Sequence, residues 1–424
     1  MPIYKGCSPS KMTMGAGLIL YSLMAGEKQY EKMSARRALG VVSHLKGDGL
    51  DGAFLFRDAQ VDDARLVLRL IQEGRSRGSR ALNYTGVTRI LRDRKGRVAG
   101  VEAQDTLTGK AFGFNAHAVI NASGAWAETL HPSPVKDYHL RPLRGSHLIF
   151  PGQGFPREKV LSFIHPKDSR PVFIFPWEGC ALLGTTDVDH GEDMDMEPSV
   201  SREEAGYLME GLAHILPGVP VTGHDCISSM AGVRPVLSQG KKSASQESRE
   251  HVIWKNKGLV TVTGGKLTTF RLLAGDAIAA ISDFLPSIST PPPSHVFDSR
   301  ISPPGLEECS LEMKLRLLGR FGIKAGQVAR IMDEDGLSQV GETATTWAEL
   351  AYSAGHEKVR RLSDLLLRRT RLGLLLPRGG AACLTRIRAV CQNPLGWDDN
   401  RWEQEEKEYL DNWQRCYAPP FSSR

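Results

Sequence analysis

The chain has 424 residues, 41% of them hydrophobic, and carries 54 basic against 48 acidic side chains, a net charge of +6. That length supports two or three domains with a sizeable buried core, and the mild positive balance is too small to argue for nucleic acid. The seven cysteines (Cys7, Cys180, Cys226, Cys309, Cys383, Cys391 and Cys416) form no C-x-x-C and no zinc spacing. They exclude a disulfide framework and read as reduced thiols of a cytoplasmic chain. Met1-Pro-Ile-Tyr-Lys-Gly6 has no secretory pattern, and the apolar patch Gly17–Gly26 is far short of a membrane span.

In chain order, residues 15–40 are rich in Ala, Leu and Met and predict a helix, and Phe54–Phe56 predicts a short strand. Val61–Ile71 repeats apolar residues at spacings of three and four, an amphipathic helix closed by Gly74 and Gly78. Strands are predicted at 81–87 and 98–103, linked by the turn Asp93–Gly96, and Ala118–Ala122 is a third strand ending at Ser123-Gly124. From about 138 to 190 the pattern changes to antiparallel strands at 146–151, 172–176 and 181–186, the last two joined by a turn at Trp177-Glu-Gly179. Ser201–Ile215 is helical, with Ser201 as N-cap and Glu204 at the capping-box position. Gly258-Leu-Val-Thr-Val-Thr-Gly-Gly265 is a strand stopped by two glycines, and a helix over 267–285 runs into the Pro/Ser-rich stretch 286–294. Everything beyond is helical. The order of elements predicts an α/β region, an antiparallel-sheet region and an all-α tail.

Several motif matches fail on context. Gly47-Asp-Gly-Leu-Asp-Gly52 spells a dinucleotide fingerprint, but it precedes a strand instead of joining a strand to a helix. Gly74-Arg-Ser-Arg-Gly78 spells a nucleophile elbow, yet follows a helix. Lys266 lacks the Ser or Thr that a phosphate loop places next, and Asp187-Val-Asp-His190 has no second cluster to complete a metal site.

Two glycine-ended strands survive, 119–124 and 260–265. Strand C-termini in open α/β sheets are where cofactors lie, and a helix beginning after Lys266 points free N–H groups at the same place. Such a site suits a phosphate or the negative charge of a reduced flavin; a tight turn with a solvated lysine is the bland alternative. Arg234 and Arg249 flank a polar loop. In a hairpin they fall nearly opposite each other, which suits an anion held by two forked donors, unless each pairs with its own carboxylate.

A set of ordered motifs then points to a family. Asp58-Ala-Gln-Val-Asp-Asp-Ala-Arg-Leu66, Asn121-Ala-Ser-Gly-Ala-Trp126, Arg144-Gly-Ser-His147, Phe175-Pro-Trp-Glu-Gly179, Leu183-Gly-Thr-Thr-Asp187, Ala231-Gly-Val-Arg-Pro235, Ser248-Arg-Glu-His251 and Thr263-Gly-Gly-Lys-Leu-Thr-Thr-Phe-Arg271 succeed one another. With the tail segment Leu362–Leu372, this resembles the FAD-dependent glycerol-3-phosphate dehydrogenases and oxidases over nearly the whole chain.

The resemblance implies an incomplete FAD-binding Rossmann-like domain (parts about 48–130 and 225–285), a substrate or cap part (about 131–224), a linker (286–304) and a C-terminal helical domain (305–424). Relative to the family, the opening βαβ segment with its pyrophosphate-binding glycines is missing, and the start looks like an interior stretch. Ser123 replaces the family's threonine and Ala125 its proline.

By the same resemblance, the activity is oxidation of sn-glycerol 3-phosphate to dihydroxyacetone phosphate, with hydride passing to FAD. His147 is the base, Arg234 and Arg249 clamp the phosphate, and Thr185 and Thr186 meet substrate or flavin. Lys266, with Gly264, Gly265, Leu267 and Thr268, stabilises the reduced flavin. Asn121, Ala122, Ser123 and Gly124 run beside the cofactor, and Val87 meets the adenine. Electrons go to quinone or oxygen, with peripheral attachment to the inner face of the membrane. The alternatives are a truncated, non-catalytic remnant and a related FAD-dependent amine oxidase. Without the βαβ unit, exposed sheet edges imply a poorly soluble or self-associating chain.

Overall fold

The computed structural model describes residues 1–131, 139–238, 250–285, 296–297, 303–331 and 336–421. Strand β1 (Pro2–Tyr4), helix α1 (Lys11–Ala25), strand β2 (Tyr30–Met33), helix α2 (Ala35–Val41) and strand β3 (Leu50–Phe56) open the chain. β3 pairs antiparallel with both β1 and β2. The single helix expected over 15–40 is thus two helices with a strand between. Gly26, at φ 73°, closes α1 in the left-handed conformation, and Ser34 caps α2 by accepting from Arg37 N. These two stop and start signals outweigh the helical composition around them.

Helix α3 (Asp63–Ser76) follows, capped by Asp62, which accepts from Arg65 N. Strands β4 (Thr85–Arg92), β5 (Val98–Asp105) and β6 (Ala111–Asn115) form an antiparallel meander. The strand expected at 81–87 starts only at Thr85, because Tyr84 turns the chain at φ 53°. Next come β7 (Val119–Asn121) and a 3-10 turn over Gly124–Leu130.

The second sheet is built from β8 (His139–Pro151), β9 (Leu161–Ile164), β10 (Pro171–Trp177), β11 (Cys180–Gly184) and β12 (Val188–Asp189), in the order β12-β8-β11-β10-β9. Helix α4 (Arg202–Ile215) buries Ala205, Leu208, Leu212 and Ile215, the three-four spacing of an apolar stripe. That stripe packs with Leu148, Phe150, Val172 and Ile174 of the sheet.

Strand β13 (Ser228–Ser238) pairs antiparallel with β8 from Ser228↔Ile149 to Ser238↔His139. β14 (His251–Asn256) pairs with β15 (Leu259–Gly264), which lies parallel to β7. The hairpin that would set Arg234 opposite Arg249 therefore does not form between β13 and β14, and Arg249 lies outside the described residues. The 13-residue β8 offers β13 a far longer ladder than the six residues of β14.

After a 3-10 turn (Leu267–Thr269) comes α5 (Phe270–Ile281). The C-terminal region holds α6 (Leu311–Phe321), α7 (Ala325–Ala329), α8 (Trp347–His356), α9 (Leu372–Leu375), α10 (Leu384–Leu395) and α11 (Asp399–Cys416). Its core of Leu350, Leu365, Leu366, Trp402, Tyr409 and Trp413 also takes in Ile149 of β8. β8 is thus covered by α4 on one face and by the helical region on the other.

Candidate active site

On the helical-region face of the second sheet, His147 of β8 lies opposite Gly184 of β11 and Met230 of β13. A Cβ at Gly184 would lie 2.7 Å from the His147 Nε2 and overlap the ring carbons, so the glycine makes room for the imidazole. Burial, with the nearby Arg234 guanidinium, pushes the His147 pKa down to about 4. The ring is neutral at physiological pH and able to accept a proton.

Arg234 of β13 reaches over Gly145, where a side chain would strike its guanidinium. Its Nη2 donates to Thr185 Oγ1 (3.0 Å), and its Nη1 meets Asp187 Oδ1 (3.3 Å). The other oxygen of Asp187 takes Arg170 Nη2 at 3.1 Å. One buried carboxylate thus fixes two guanidiniums, whose forked donors have the geometry to meet the oxygens of an anion. Asp187 thereby supplies an orienting role that the sequence did not assign. Its signal was its place at the end of the Leu183–Asp187 motif.

Thr185 and Thr186 part ways. Thr185 faces Arg234, whereas the Thr186 hydroxyl is buried, donating to Glu204 Oε1 (2.7 Å) and accepting from Ser146 N (3.0 Å). The Thr186 hydroxyl is thus engaged within the protein, away from Arg234.

The second part of the site is the pair of parallel strand ends. Asn121 is buried, and its side chain ties the turn together: Nδ2 donates to Ala127 O (2.8 Å) and Oδ1 accepts from Ser123 Oγ (2.6 Å). Thr263 Oγ1 donates to Gly124 O at 3.1 Å, fastening the two strand ends to each other. Gly124 has a φ of 62° and open space where a Cβ would stand. Ala122, Lys266, Leu267 and Thr268 are exposed beside it, as is Val87 on β4.

Gly264 and Gly265 adopt φ values of 77° and 81°, and a Cβ on Gly264 would approach Glu250 O to 2.6 Å. The glycines are thus demanded by the chain's own turn. Leu237 of β13 packs against Gly264, within 3.3 Å of where that Cβ would be. Arg234 sits three residues earlier on the same strand, about 10 Å along it. The anion cluster and the strand ends thus meet the same strand, β13, about 10 Å apart along it. Sequence reasoning also missed the pair His251 Nε2–Asp276 Oδ2 (3.0 Å), which braces β14 against α5 beside Gly265.

A flavin fits what the strand ends present: two parallel strand termini, open space at Gly124, exposed residues at Ala122 and 266–268, and a lysine. Residues 16–280 match the family model described as FAD dependent oxidoreductase, and residues 296–402 match the C-terminal domain of alpha-glycerophosphate oxidase. The chain belongs to the FAD-dependent oxidoreductase family, and within it to the branch that carries this C-terminal domain.

The aerobic glycerol-3-phosphate dehydrogenase of Staphylococcus haemolyticus is 30% identical over 400 residues, covering 87% of this chain and 71% of the relative. That of Staphylococcus aureus is 29% identical over 397 residues, with the same coverage of 87% and 71%. The glycerol-3-phosphate dehydrogenase of Bacillus halodurans complexed with FAD aligns with a TM-score of 0.74 at 22% identity, over 93% of this chain and 83% of that one. At that identity the likeness establishes the fold.

Proposed function

We propose that the chain oxidises the C2 alcohol of sn-glycerol 3-phosphate to dihydroxyacetone phosphate, using FAD. The observation that carries this is the cluster of neutral His147 beside Arg234, with Asp187 shared between Arg234 and Arg170. Arg234 receives the substrate phosphate, its plane already set by Asp187 and Thr185, and Arg249 is proposed as its companion. His147 accepts the C2 hydroxyl proton. FAD, held by the two strand ends, would supply the hydride acceptor for C2.

Ala122 to Gly124 and Gly264 to Thr268 line the cofactor, Asn121 orients them from below, and Val87 meets the adenine. Lys266 offsets the negative charge that reduction places on the ring. The proposed organisation follows the boundaries set out from the sequence, with the flavin held by about 48–130 and 225–285 and the substrate capped by about 131–224.

Quinone as acceptor, with peripheral attachment on the inner face of the membrane, belongs to the same proposal. No helix among the described residues is long and apolar enough to cross a membrane. An apolar row on α1 lies open, with Met12, Leu20, Leu23 and Met24 each at least 60% exposed, which supports surface attachment.

The test is the visible spectrum of the purified chain with FAD, followed under argon as glycerol 3-phosphate is added. Flavin bands that bleach with the phosphate ester, but not with glycerol, are expected. Arg234→Ala is expected to raise KM on the order of 10²-fold, the scale of a lost charged contact. A protein that stays colourless after FAD is added overturns the proposal and favours the remnant. Bleaching by an amino acid instead favours an amine oxidase.

A further inference from the structure

A capping-box glutamate needs one oxygen to reach back to the N-cap amide, and such residues usually stand in solvent. Glu204 does that with Oε2, which accepts from Ser201 N at 3.2 Å, yet it is only 4% exposed and holds three further partners. Its Oε1 accepts from Ser146 Oγ and from Thr186 Oγ1, both at 2.7 Å, and its Oε2 meets Arg144 Nη2 at 2.9 Å. The Thr186 hydroxyl closes the ring by accepting from Ser146 N. Helix capping requires none of these three.

Their effect follows from strand geometry. Side chains alternate across a strand. Ser146, Leu148 and Phe150 of β8 face α4, while His147 and Ile149 face the other way. Glu204 grips β8 from the reverse side, one residue before His147. It grips the β11–β12 connection one residue after Thr185, the residue that receives Arg234. We propose that Glu204 is a positioning residue for the oxidation, clamping Ser146 and Thr186 so that their neighbours His147 and Thr185 hold their places beside Arg234. Glu204 touches no substrate. The inference rests on the function proposed above.

Thr186→Val keeps the shape and removes the hydroxyl, Thr186→Ser keeps the hydroxyl, and Glu204→Gln removes the charge. In FAD-loaded protein, Thr186→Val and Glu204→Gln should lower kcat between about 10- and 10²-fold, the scale of a misplaced catalytic group, with KM changed less than about threefold. Thr186→Ser should recover most of the loss.

A readout independent of turnover is the His147 imidazole resonance, assigned by its absence in His147→Gln. It should shift in Thr186→Val and not in Thr186→Ser. Its titration should also move up from about 4 in Thr186→Val as the ring leaves its buried place. Among the described residues, the ion-paired groups around these side chains are Arg144, Arg170, Asp187, Glu192, Glu204 and Arg234, and the substitution of Thr186 alters none of them. A lowered melting temperature with unchanged kcat and an unmoved His147 resonance would overturn the inference and leave Glu204 a brace. If wild type does not oxidise glycerol 3-phosphate, the proposed function falls, and the His147 resonance still decides the positioning claim. Should Glu204→Gln fail to fold, the isosteric Thr186 pair carries the test.

Discussion

At the scale of single residues, His147 has the most to reveal through pH. Its folded pKa of about 4 lies below the ordinary 6.5, through burial first and Arg234 second. Between those values the unfolded chain binds a proton that the folded chain refuses, so this contribution to stability is full above pH 6.5 and lost as pH falls to 4. The difference corresponds to about 3 kcal/mol. Melting temperature against pH should therefore fall less steeply from 6.5 to 4 in His147→Gln than in wild type. Kinetically, a bound phosphate offsets Arg234, so the acid limb of kcat should lie at higher pH than the acid limb of kcat/KM, which reports the free enzyme. The sequence made His147 and Arg234 legible through their motifs. Asp187 was visible only as the end of the Leu183–Asp187 motif and Glu204 only as a helix cap, because burial and shared partners are properties of the folded chain.

At the scale of elements, the site depends on places where β8 and β11 carry no side chain. Gly184 and Gly145 have ordinary backbone conformations, so alanine at either costs no backbone strain and acts through what its methyl touches. Gly184→Ala strikes the enclosed His147 ring, whereas Gly145→Ala strikes the far end of the flexible Arg234. Gly184→Ala should thus lose kcat by at least about tenfold, and Gly145→Ala should chiefly raise KM. Steady-state kinetics on the pair separates the two effects, and equal losses in kcat would contradict the geometry. Three strands of the second sheet were readable in part, at 146–151, 172–176 and 181–186, whereas β9 and β12 were not. The partner of β13 was not: sequence proximity favoured a hairpin with the strand after the polar loop, and the longer ladder on β8 won.

At the scale of the whole molecule, α3 is the bolt between the N-terminal region and the helical tail. Arg65 makes a forked pair with Glu357, Nη1–Oε2 at 2.8 Å and Nη2–Oε1 at 2.9 Å, and also donates to Arg320 O at the end of α6. Both side chains are buried, 4% and 0% exposed. Arg65→Ala leaves Glu357 as an unpaired buried charge and should destabilise by about 3–5 kcal/mol, while Arg65→Met with Glu357→Leu should cost much less. Denaturant melts of the two variants check this, and limited proteolysis should show the tail loosened only in the first. The motif Asp58–Leu66 marked this helix in the sequence, but nothing there said that it gripped residues nearly 300 positions away. Distance along the chain has a temporal meaning as well. Asn121 and Thr261, on the paired strands β7 and β15, are 140 residues apart. During synthesis at about 5–20 residues per second, β7 waits roughly 7–28 s for its parallel neighbour, and the whole second sheet is made in between. A cofactor gripped at both strand ends can dock only after Gly264 has been made, so it joins a chain whose second sheet has already been synthesised instead of nucleating the fold.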